Sequence, residues 1–410
     1  MRARHVAAVI IGLECFANVG FAADSTITYR QALNRAAHVS PDLVIARTRE
    51  SVARAEIGIA GTLPNPSISV GTSSQTARLS GGVTVPLLIL GQRGAAIDAS
   101  TADFTTTRVE TEVTAVDVRA SVAHAYVALW RAQGIVIEEE RSAAIAQHLE
   151  TDVQGRVDLG AAANVDGLRA HAERLRADAQ AQQSSLQVSA AASDLGAWFG
   201  IPDAATLRAQ DPPEIPAQPP ALADLQNSIG DNPAVRRERA DTAAAEARVT
   251  RERALVRPIL IVDLGFDAYD DTLCPGVPCS NPPVNYRGAL GVEVPFLSQR
   301  GGYIEREQAN AASGRARESA QRLRLAAALA SSYRTFDAWR TSTRALADGV
   351  VPAADAAAAA AEESYTLGRA PLVAVLDAEK ARVEANLSLL EARSQTADAW
   401  IDVEHAIGTR

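Results

Sequence analysis

Aromatic residues and lysine are scarce in this sequence, and each shortage narrows what the protein can be. Only 4% of the 410 residues are aromatic although 47% are hydrophobic, because the apolar content comes mostly from Ala, Val and Leu. Those small side chains suit long, narrow helix contacts, and apolar content at this level argues against a disordered chain. Lys380 is the sole lysine, and the formal net charge is −9 without a basic cluster. Nucleic acid is therefore not expected as a partner.

Long apolar segments are also missing from the mature sequence. Residues 1–22 have the pattern of a secretory signal peptide, with Arg2 and Arg4 at the start, an apolar stretch from Val6 and a small-residue cleavage site at Ala22. A short buried N-terminal helix is the alternative interpretation. No other segment approaches the roughly 18 apolar residues of a transmembrane helix, so the mature chain could cross a membrane only by β-strands.

Catalytic and metal-binding patterns are absent as well. Four histidines, His124, His148, His171 and His405, are scattered without Cys or His partners at the spacing of a metal site. Neither a nucleophile elbow nor a phosphate-binding loop is present. We therefore predict that the protein is not an enzyme and requires no cofactor or metal.

Two similar helical hairpin tips are the clearest positive feature of the sequence. In segment 365–379, Gly368 and Pro371 interrupt a long helical pattern that then resumes, and segment 156–170 has Gly160 in the same setting. Gly suits a left-handed helix end and Pro suits the first turn of the next helix. Two such tips in one chain indicate a duplicated structure.

The rest of the sequence predicts the same order of elements in each half. A helix broken at Ser40–Pro41 or at Asn232–Pro233 precedes segments of period-two alternation, which are typical of a β-hairpin. A helix of about 60 residues, the tip and a returning helix follow. We divide the mature chain into a first repeat at 23–200, a Pro-rich linker at 201–221 and a second repeat at 222–410.

The predicted hairpins supply only four strands, too few to close a membrane barrel. An open sheet in lipid leaves the N–H and C=O groups of its edges without partners, so several protomers would have to combine their strands, and three copies would give twelve. The alternating residues predicted to face lipid are Ile68, Val70, Val83, Val85, Leu260, Val262, Leu264, Val292 and Val294. Those predicted to face water are Ser67, Ser69, Thr84, Asp263 and Glu293. A soluble pair of hairpins packed on helices is the alternative.

Across nearly the whole mature chain, these features together resemble the TolC family of outer membrane efflux proteins. The resemblance rests on the two tips, on Tyr-x-x-Gly…Val-Leu-Asp-Ala at 365–378, and on a strand-end Pro followed by Gln-Arg-Gly. It implies a mainly α-helical trimer with membrane β-structure: a twelve-stranded β-barrel, with four strands from each protomer, that continues into a long α-helical barrel. It also implies an outer membrane location with a periplasmic helical extension.

The resemblance implies a passive exit channel in a tripartite efflux system. Its partners would be two further copies of the chain, a periplasmic membrane-fusion adaptor that docks at the tips, an inner-membrane pump and outer-membrane lipid. Leu63-Pro-Asn-Pro66 and Gln92-Arg93 resemble the subgroup that serves heavy-metal exporters of the resistance-nodulation-division class. A periplasmic coiled-coil scaffold or adaptor that never enters the membrane is the alternative function.

Three residues near the tips are implied to form the channel aperture. Asp377 corresponds to an acidic ring that narrows the opening in the family, although Ala374 stands where a second Asp is often found. Asp166 would hydrogen-bond to Tyr365 and lock the helix pairs closed, so that Tyr365→Phe would raise the conductance of the closed channel. A solvated carboxylate at position 377 and simple packing of Tyr365 are the alternatives.

Three further groups are candidates for contacts or links. The adaptor-contact candidates at the tips are Arg156, Leu159, Gly160, Leu367, Gly368 and Arg369. The candidates at the junction of strand and helix are Pro86, Gln92, Arg93, Pro295, Gln299 and Arg300. The junction arginines could anchor at lipid headgroups or cap neighbouring carbonyls, and we favour a structural role. Cys274 and Cys279, in a loop expected outside the cell, are predicted to form a disulfide, with a free thiol pair as the alternative.

Overall fold

The computed structural model describes residues 26–72, 78–268, 284–297 and 299–409. The predicted signal peptide at 1–22 and the Cys274–Cys279 pair lie outside these residues. The helices are α1 (Tyr29–Val39), α2 (Pro41–Ala60), α3 (Gln92–Asp158), α4 (Asn164–Ala197), α5 (Leu222–Asn227), α6 (Pro233–Ala254), α7 (Gly301–Ala345), α8 (Val351–Thr366) and α9 (Leu372–Ile407). The strands are β1 (Thr26–Ile27), β2 (Ser67–Gly71), β3 (Leu79–Leu87), β4 (Arg208–Ala209), β5 (Ile259–Ala268) and β6 (Val284–Glu293).

The helical pattern of the sequence extends from Thr26 to about Gly61, but the first helix starts three residues later, at Tyr29. Thr26 and Ile27 instead pair with β4 as a short parallel bridge. Thr28 then caps α1, because its Oγ1 accepts a hydrogen bond from the Gln31 N–H at 3.2 Å while Gln31 Oε1 accepts one from the Thr28 N–H at 3.1 Å. The predicted break is present, since α1 ends before Ser40 and α2 begins at Pro41.

Two very long helical runs dominate the structure. Helix α3 has 67 residues, which corresponds to about 100 Å. In the second half, α7, a π-helical turn at Leu346–Val350 and α8 follow one another without a break. The π turn precedes Pro352, whose missing N–H cannot continue the α-helical hydrogen bonds. Among the described helices, none is both long and apolar enough to cross a membrane.

The long helices pack in two layers that share α3. Near the strands the order of contact is α2, α3, α6, α7, and toward the tips it is α4, α3, α9, with α7 and α8 packed on the other side of α9. Helices α2 and α4 therefore form one side edge of the protein, and α7 and α8 form the other. The edge of α2 and α4 carries exposed apolar side chains: Val44, Ile45, Val52, Ile59, Val165, Leu168, Leu175 and Leu186.

The four longer strands form one antiparallel sheet in the order β2-β3-β5-β6. Among the described residues, β2 and β6 each pair on one side only, so both edges of the sheet are open. Pro86 lies inside β3 rather than after it, and it pairs only with Ile261 because β2 does not extend that far. Strand β6 begins at Val284 and ends at Glu293, so Val294 and Pro295 follow the strand.

The register separates the sheet into an apolar and a polar face. Rows such as Ile68–Val83–Leu264 and Val85–Val262–Leu290 lie on one face. The opposite face carries Ser67–Thr84–Asp263, where the Thr84 hydroxyl donates a hydrogen bond to the Asp263 carboxylate. Ile68 is 77% exposed and Leu290 is 76% exposed. The apolar side chains that alternation predicts on one face therefore do share a face, and a single protomer leaves that face uncovered.

The Pro-rich segment 201–221 packs closely against the helices. Ala204 and Leu207 are buried in the largest apolar cluster, around Tyr126 of α3. The Tyr126 hydroxyl donates a hydrogen bond to Asp211, with its oxygen 2.6 Å from Asp211 Oδ1. The Tyr333 hydroxyl of α7 donates to the Pro220 carbonyl at 3.0 Å. The segment thus crosses from one helical hairpin to the other and is held by both.

Arginine side chains form the ion pairs where α6 packs against α7. Glu252 is buried between Arg251 and Arg300, at 3.0 Å and 2.6 Å. Although burial alone would raise the pKa of Glu252, the hydrogen bonds from the two arginines hold that pKa below its usual value. Planar guanidinium groups suit such sites because they donate to a carboxylate in a fixed geometry.

His124 of α3 links the two hairpins by bridging two carboxylates of α9. Its Nδ1 lies 2.7 Å from Asp398 Oδ1, and its Nε2 lies 3.2 Å from Asp402 Oδ1. Hydrogen bonds to Asp398 and then to Asp402 raise the pKa of His124 to about 9. The imidazole is therefore protonated at neutral pH and holds α3 against α9 as a cation.

The His124 bridge is expected to make stability fall at alkaline pH. Because the folded pKa lies above the unfolded value near 6.5, its contribution is complete below about pH 6.5 and is lost as pH rises through about 9. His124→Gln should lower the free energy of unfolding by about 1 kcal/mol at pH 6, after discounting for solvent screening. At pH 10 the variant and the original protein should unfold at the same denaturant concentration; an equal difference at both pH values would contradict the charged bridge.

Candidate functional site

The two hairpin tips share one backbone geometry. Gly160 and Gly368 have φ values of 71° and 70°. In each tip the next residue donates its N–H back into the helix, from Ala161 to the Arg156 carbonyl at 2.7 Å and from Arg369 to the Ser364 carbonyl at 2.8 Å. A Cβ added to either glycine would meet open space, so positive φ is what requires glycine here.

The residues before the two glycines project apolar side chains from the tips. Leu159 is 84% exposed and Leu367 is 57% exposed. Arg369 is also exposed, and no described residue pairs with it. The tips thus present two leucines and one arginine whose side chains are exposed in the protomer.

Arg156 belongs to a contact between the tips rather than to the free surface. Its guanidinium carbon lies 4.4 Å from the centre of the Tyr365 ring. Its Nη1 donates to the Tyr365 carbonyl at 3.0 Å, and its Nη2 donates to the Thr366 carbonyl at 3.1 Å. These carbonyls lie at the end of α8, where the Tyr365 carbonyl also accepts from the Gly368 N–H at 2.9 Å, so Arg156 caps the second hairpin from the first.

Tyr365 is buried, but it does not form the hydrogen bond that the family resemblance implies. It packs with Leu372 and Val375 of α9 and with Val153 of α3. Within the described residues, no hydrogen bond joins the Tyr365 hydroxyl to the Asp166 carboxylate. Asp166 instead lies in the first turn of α4, 3.9 Å from Arg169. In this conformation the contact between the hairpins is Arg156 stacked on Tyr365, and the Asp166–Tyr365 bond of the closed state stays a prediction.

Asp377 lies in the second turn of α9 and is exposed. None of the described arginine, lysine or histidine side chains forms an ion pair with it. Its carboxylate is thus accessible to ions in solution, which is the property that an aperture residue needs.

Gln92 fastens the first junction between strand and helix. It is 2% exposed. Its Oε1 accepts from the Leu90 N–H at 3.0 Å, and its Nε2 donates to the Pro258 and Arg257 carbonyls at 2.9 and 3.3 Å. The Arg257 guanidinium in turn donates a hydrogen bond to the Leu90 carbonyl at 2.6 Å. Gln92 therefore joins the end of the first hairpin to the start of the second.

The junction arginines are held within the protein. Arg93 donates to the Gly61 carbonyl at 2.6 Å, at the end of α2. Arg300 has a positive φ of 51° and donates from Nε to Glu252 Oε2 at 2.6 Å. These contacts favour the structural role that the sequence indicates. Gln299, the counterpart of Gln92, is exposed, so the two junctions differ.

Sequence reasoning missed the partners of these residues. Glu252 and Arg257 gave no local signal, because each acts on a residue far away in the chain. The adaptor-contact prediction for Arg156 stays a prediction, and the structure adds a contact of Arg156 with the second tip.

The chain matches known proteins over most of its length. The family model described as outer membrane efflux protein matches residues 32–200 and 225–409. The cobalt-zinc-cadmium resistance protein CzcC of Cupriavidus metallidurans is 25% identical over 387 residues, covering 93% of this chain and 90% of that protein.

Solved structures of low sequence identity share the fold. A membrane protein from Pseudomonas aeruginosa is 16% identical with a TM-score of 0.75, over 92% of this chain and 93% of that one. The outer membrane protein VceC from Vibrio cholerae is 16% identical with a TM-score of 0.73, over 93% of this chain and 96% of that one. Proteins of the matched family are outer-membrane channels of tripartite efflux systems, a transport function rather than an enzymatic one. With both halves of the sequence matched, the chain belongs to the outer membrane efflux protein family.

Proposed function

We propose that three copies of this chain form the outer-membrane exit channel of a tripartite efflux system. Each protomer contributes its four strands to a twelve-stranded barrel in the membrane. The helical layers continue the channel into the periplasm and end at the tips. The channel is passive, and the energy for export comes from an inner-membrane pump.

The open sheet with one uncovered apolar face is the observation that carries this proposal. Large apolar side chains on that face, such as Val70 at 75% exposure and Val292 at 61%, have no cover within the protomer. The edges β2 and β6 leave backbone N–H and C=O groups that would cost several kcal/mol each in lipid. Joining β6 of one copy to β2 of the next removes those edges, and lipid covers the apolar face.

The side edges of the helical layers support the same assembly. Exposed apolar residues follow the edge of α2 and α4, for example Ile59 at 60% and Leu186 at 71%. Contact with α7 and α8 of a neighbouring copy would cover them. If neighbouring copies join their sheets into a closed ring, the α2 and α4 edge of one copy would also meet the α7 and α8 edge of the next. The alternative function, a scaffold that stays in the periplasm, does not explain why the sheet has an uncovered apolar face.

The tips are the proposed docking surface for the periplasmic adaptor. Leu159, Leu367 and Arg369 are exposed there, and the glycines leave the backbone accessible. The pump is proposed to be of the resistance-nodulation-division class. Similarity to CzcC, a cobalt-zinc-cadmium resistance protein, supports divalent metal cations as the cargo.

A pair of arginine substitutions on opposite faces of the sheet tests the membrane assembly. Leu264→Arg places a charge on the apolar face, where it would cost about 2–4 kcal/mol at the bilayer midplane. We expect this variant to lose the heat-modifiable trimer band in outer-membrane fractions. Ala289→Arg, on the polar face of the neighbouring strand, should keep that band. If both variants assemble equally, the apolar face does not meet lipid.

Export is tested in a strain deleted for this chain. The deletion should raise sensitivity to cobalt, zinc and cadmium, and a plasmid copy should restore resistance. Unchanged growth across the metal panel would remove metal cations as the cargo while leaving the channel assembly to the test above.

Asp377→Asn is expected to reduce the preference of the channel for cations. Three carboxylates at the aperture would attract cations and repel one another, so their removal lowers the local cation concentration. Single-channel recordings under a salt gradient should show the reversal potential move toward zero. Asp355→Asn, a carboxylate of α8 farther from the tips, is the matched control. An unaltered reversal potential for Asp377→Asn would place the selective site elsewhere.

A further inference from the structure

A cavity of about 330 Å³ lies where α3, α4 and α9 meet. Along α3 it extends from Leu149 to Glu139, about 15 to 30 Å from Leu159 at the tip. One part of its wall is apolar, formed by Ile145, Leu149, Leu376, Val383 and Leu387. The other part carries charged groups from all three helices. Neither the tips nor the strand–helix junction includes this cavity.

Glu139 is the unusual member of the charged wall. Its side chain lines the cavity and the residue is only 7% exposed. No described residue donates a hydrogen bond to its carboxylate or forms an ion pair with it. Its neighbour Glu138 lies instead toward Arg382, at 3.6 Å. Burial, and then the charge of Glu138, raise the pKa of Glu139. Burying a carboxylate without a partner is unfavourable, so a group of this kind marks a candidate binding site.

The remaining charges around the cavity are mostly negative. Glu173 and Glu384 line the cavity together with Arg176 and Lys380, whereas Glu379 is already paired with Arg382 at 2.7 Å. With Glu139, three lining carboxylates have no ion pair among the described residues, against two lining cations. Within the described residues no group of three or more metal-ligating side chains exists, and much of the cavity wall is apolar. A ligand that suits these surroundings carries one positive charge and an apolar body.

We propose that this cavity binds an organic cation whose protonated amine donates to the Glu139 carboxylate and whose apolar body lies against the leucines of α3 and α9. The volume suits a molecule of about ten to fifteen non-hydrogen atoms. The amine supplies the charged hydrogen bond that Glu139 lacks, and such bonds are stronger than neutral ones. An anion would meet the glutamates, and a neutral molecule would leave Glu139 unpaired.

Binding is tested on the purified full chain in lipid nanodiscs, with 4-phenylbutylamine as the probe and saturation-transfer NMR as the measurement. The uncharged analogue 4-phenylbutan-1-ol measures partitioning into lipid. We expect the amine to bind at least tenfold more tightly than the alcohol. Glu139→Gln should weaken amine binding at least tenfold, while Glu140→Gln, which removes an exposed charge one residue away, should change it less than twofold.

Two further measurements keep the outcome clear. Amine binding should strengthen in the original protein as pH rises through the raised pKa of the Glu139 carboxyl, and it should not vary with pH in Glu139→Gln, because only the ionised carboxylate pairs with the amine. Ala177→Leu, which fills part of the cavity, should also weaken binding. The proposal is overturned if the amine does not bind, if the alcohol binds equally well, or if Glu139→Gln binds the amine unchanged. None of these measurements involves transport, so failure leaves the proposed channel unaffected.

Discussion

Replacing Gln92 with alanine is expected to lower the free energy of unfolding by about 2–4 kcal/mol. The side chain is buried and takes part in three hydrogen bonds that join Leu90 to the Arg257–Pro258 segment. Alanine would leave one N–H and two carbonyls without these partners at the point where both hairpins meet the helices. The measurement is the guanidinium midpoint of the reconstituted protein, followed by circular dichroism.

The second junction provides a matched control for this substitution. Gln299 follows the second hairpin as Gln92 follows the first, but it is exposed. Gln299→Ala should change the free energy of unfolding by less than about 0.5 kcal/mol. Equal losses from the two alanine variants would show that propensity or the unfolded state, rather than the Gln92 hydrogen bonds, determines the effect.

Arg156→Ala is expected to separate the two tips and to raise the conductance of the closed channel. The substitution removes two hydrogen bonds to the end of α8 and the stacking on Tyr365. Because the arginine is half-buried, we expect a loss of about 2 kcal/mol. That loss corresponds to about a 30-fold shift in the balance between joined and separated tips. Single-channel recordings in planar bilayers measure it directly.

Three controls separate this link from a general effect of tip charge. Arg369→Ala removes an exposed arginine of the other tip and should leave the conductance unchanged. Arg156→Lys keeps the charge but loses the planar fork, so it should open the channel almost as much as alanine does. Tyr365→Phe should have little effect, since the hydroxyl forms no bond to Asp166 in this conformation. A large conductance gain for Tyr365→Phe with none for Arg156→Ala would favour the Asp166 lock that the family resemblance implies.

Local features of the fold followed from the sequence with good accuracy. The breaks at Pro41 and Pro233, the helix ends at Gly160 and Gly368, and the 67-residue helix are all present. Each depends on a few neighbouring residues: proline lacks an N–H, glycine tolerates positive φ, and an uninterrupted helical pattern sets length. Strand ends were less accurate. Pro86 lies within β3 because only one neighbouring strand reaches it, which no local pattern reveals.

The candidate sites depended more strongly on contacts between distant segments. The contact of Arg156 with the second tip was not predicted, since its partners are more than 200 residues away in the chain. Gln92 and Gln299 look equivalent in the sequence, yet only Gln92 reaches a second segment and becomes buried. Glu139 gave no signal at all, because its isolation arises from the way α3, α4 and α9 surround it.

The sequence by itself determined which long segments are helices or strands, where the long helices break, and that the strands have one apolar and one polar side. Those properties are set by backbone conformation and by the two- and 3.6-residue periods of side-chain direction. The tertiary structure decided which polar groups find a partner, because hydrogen bonds and burial depend on the position of atoms from remote parts of the chain. That is why Arg156 joins the tips, Gln92 fastens one junction of two, and Glu139 remains unpaired beside a cavity.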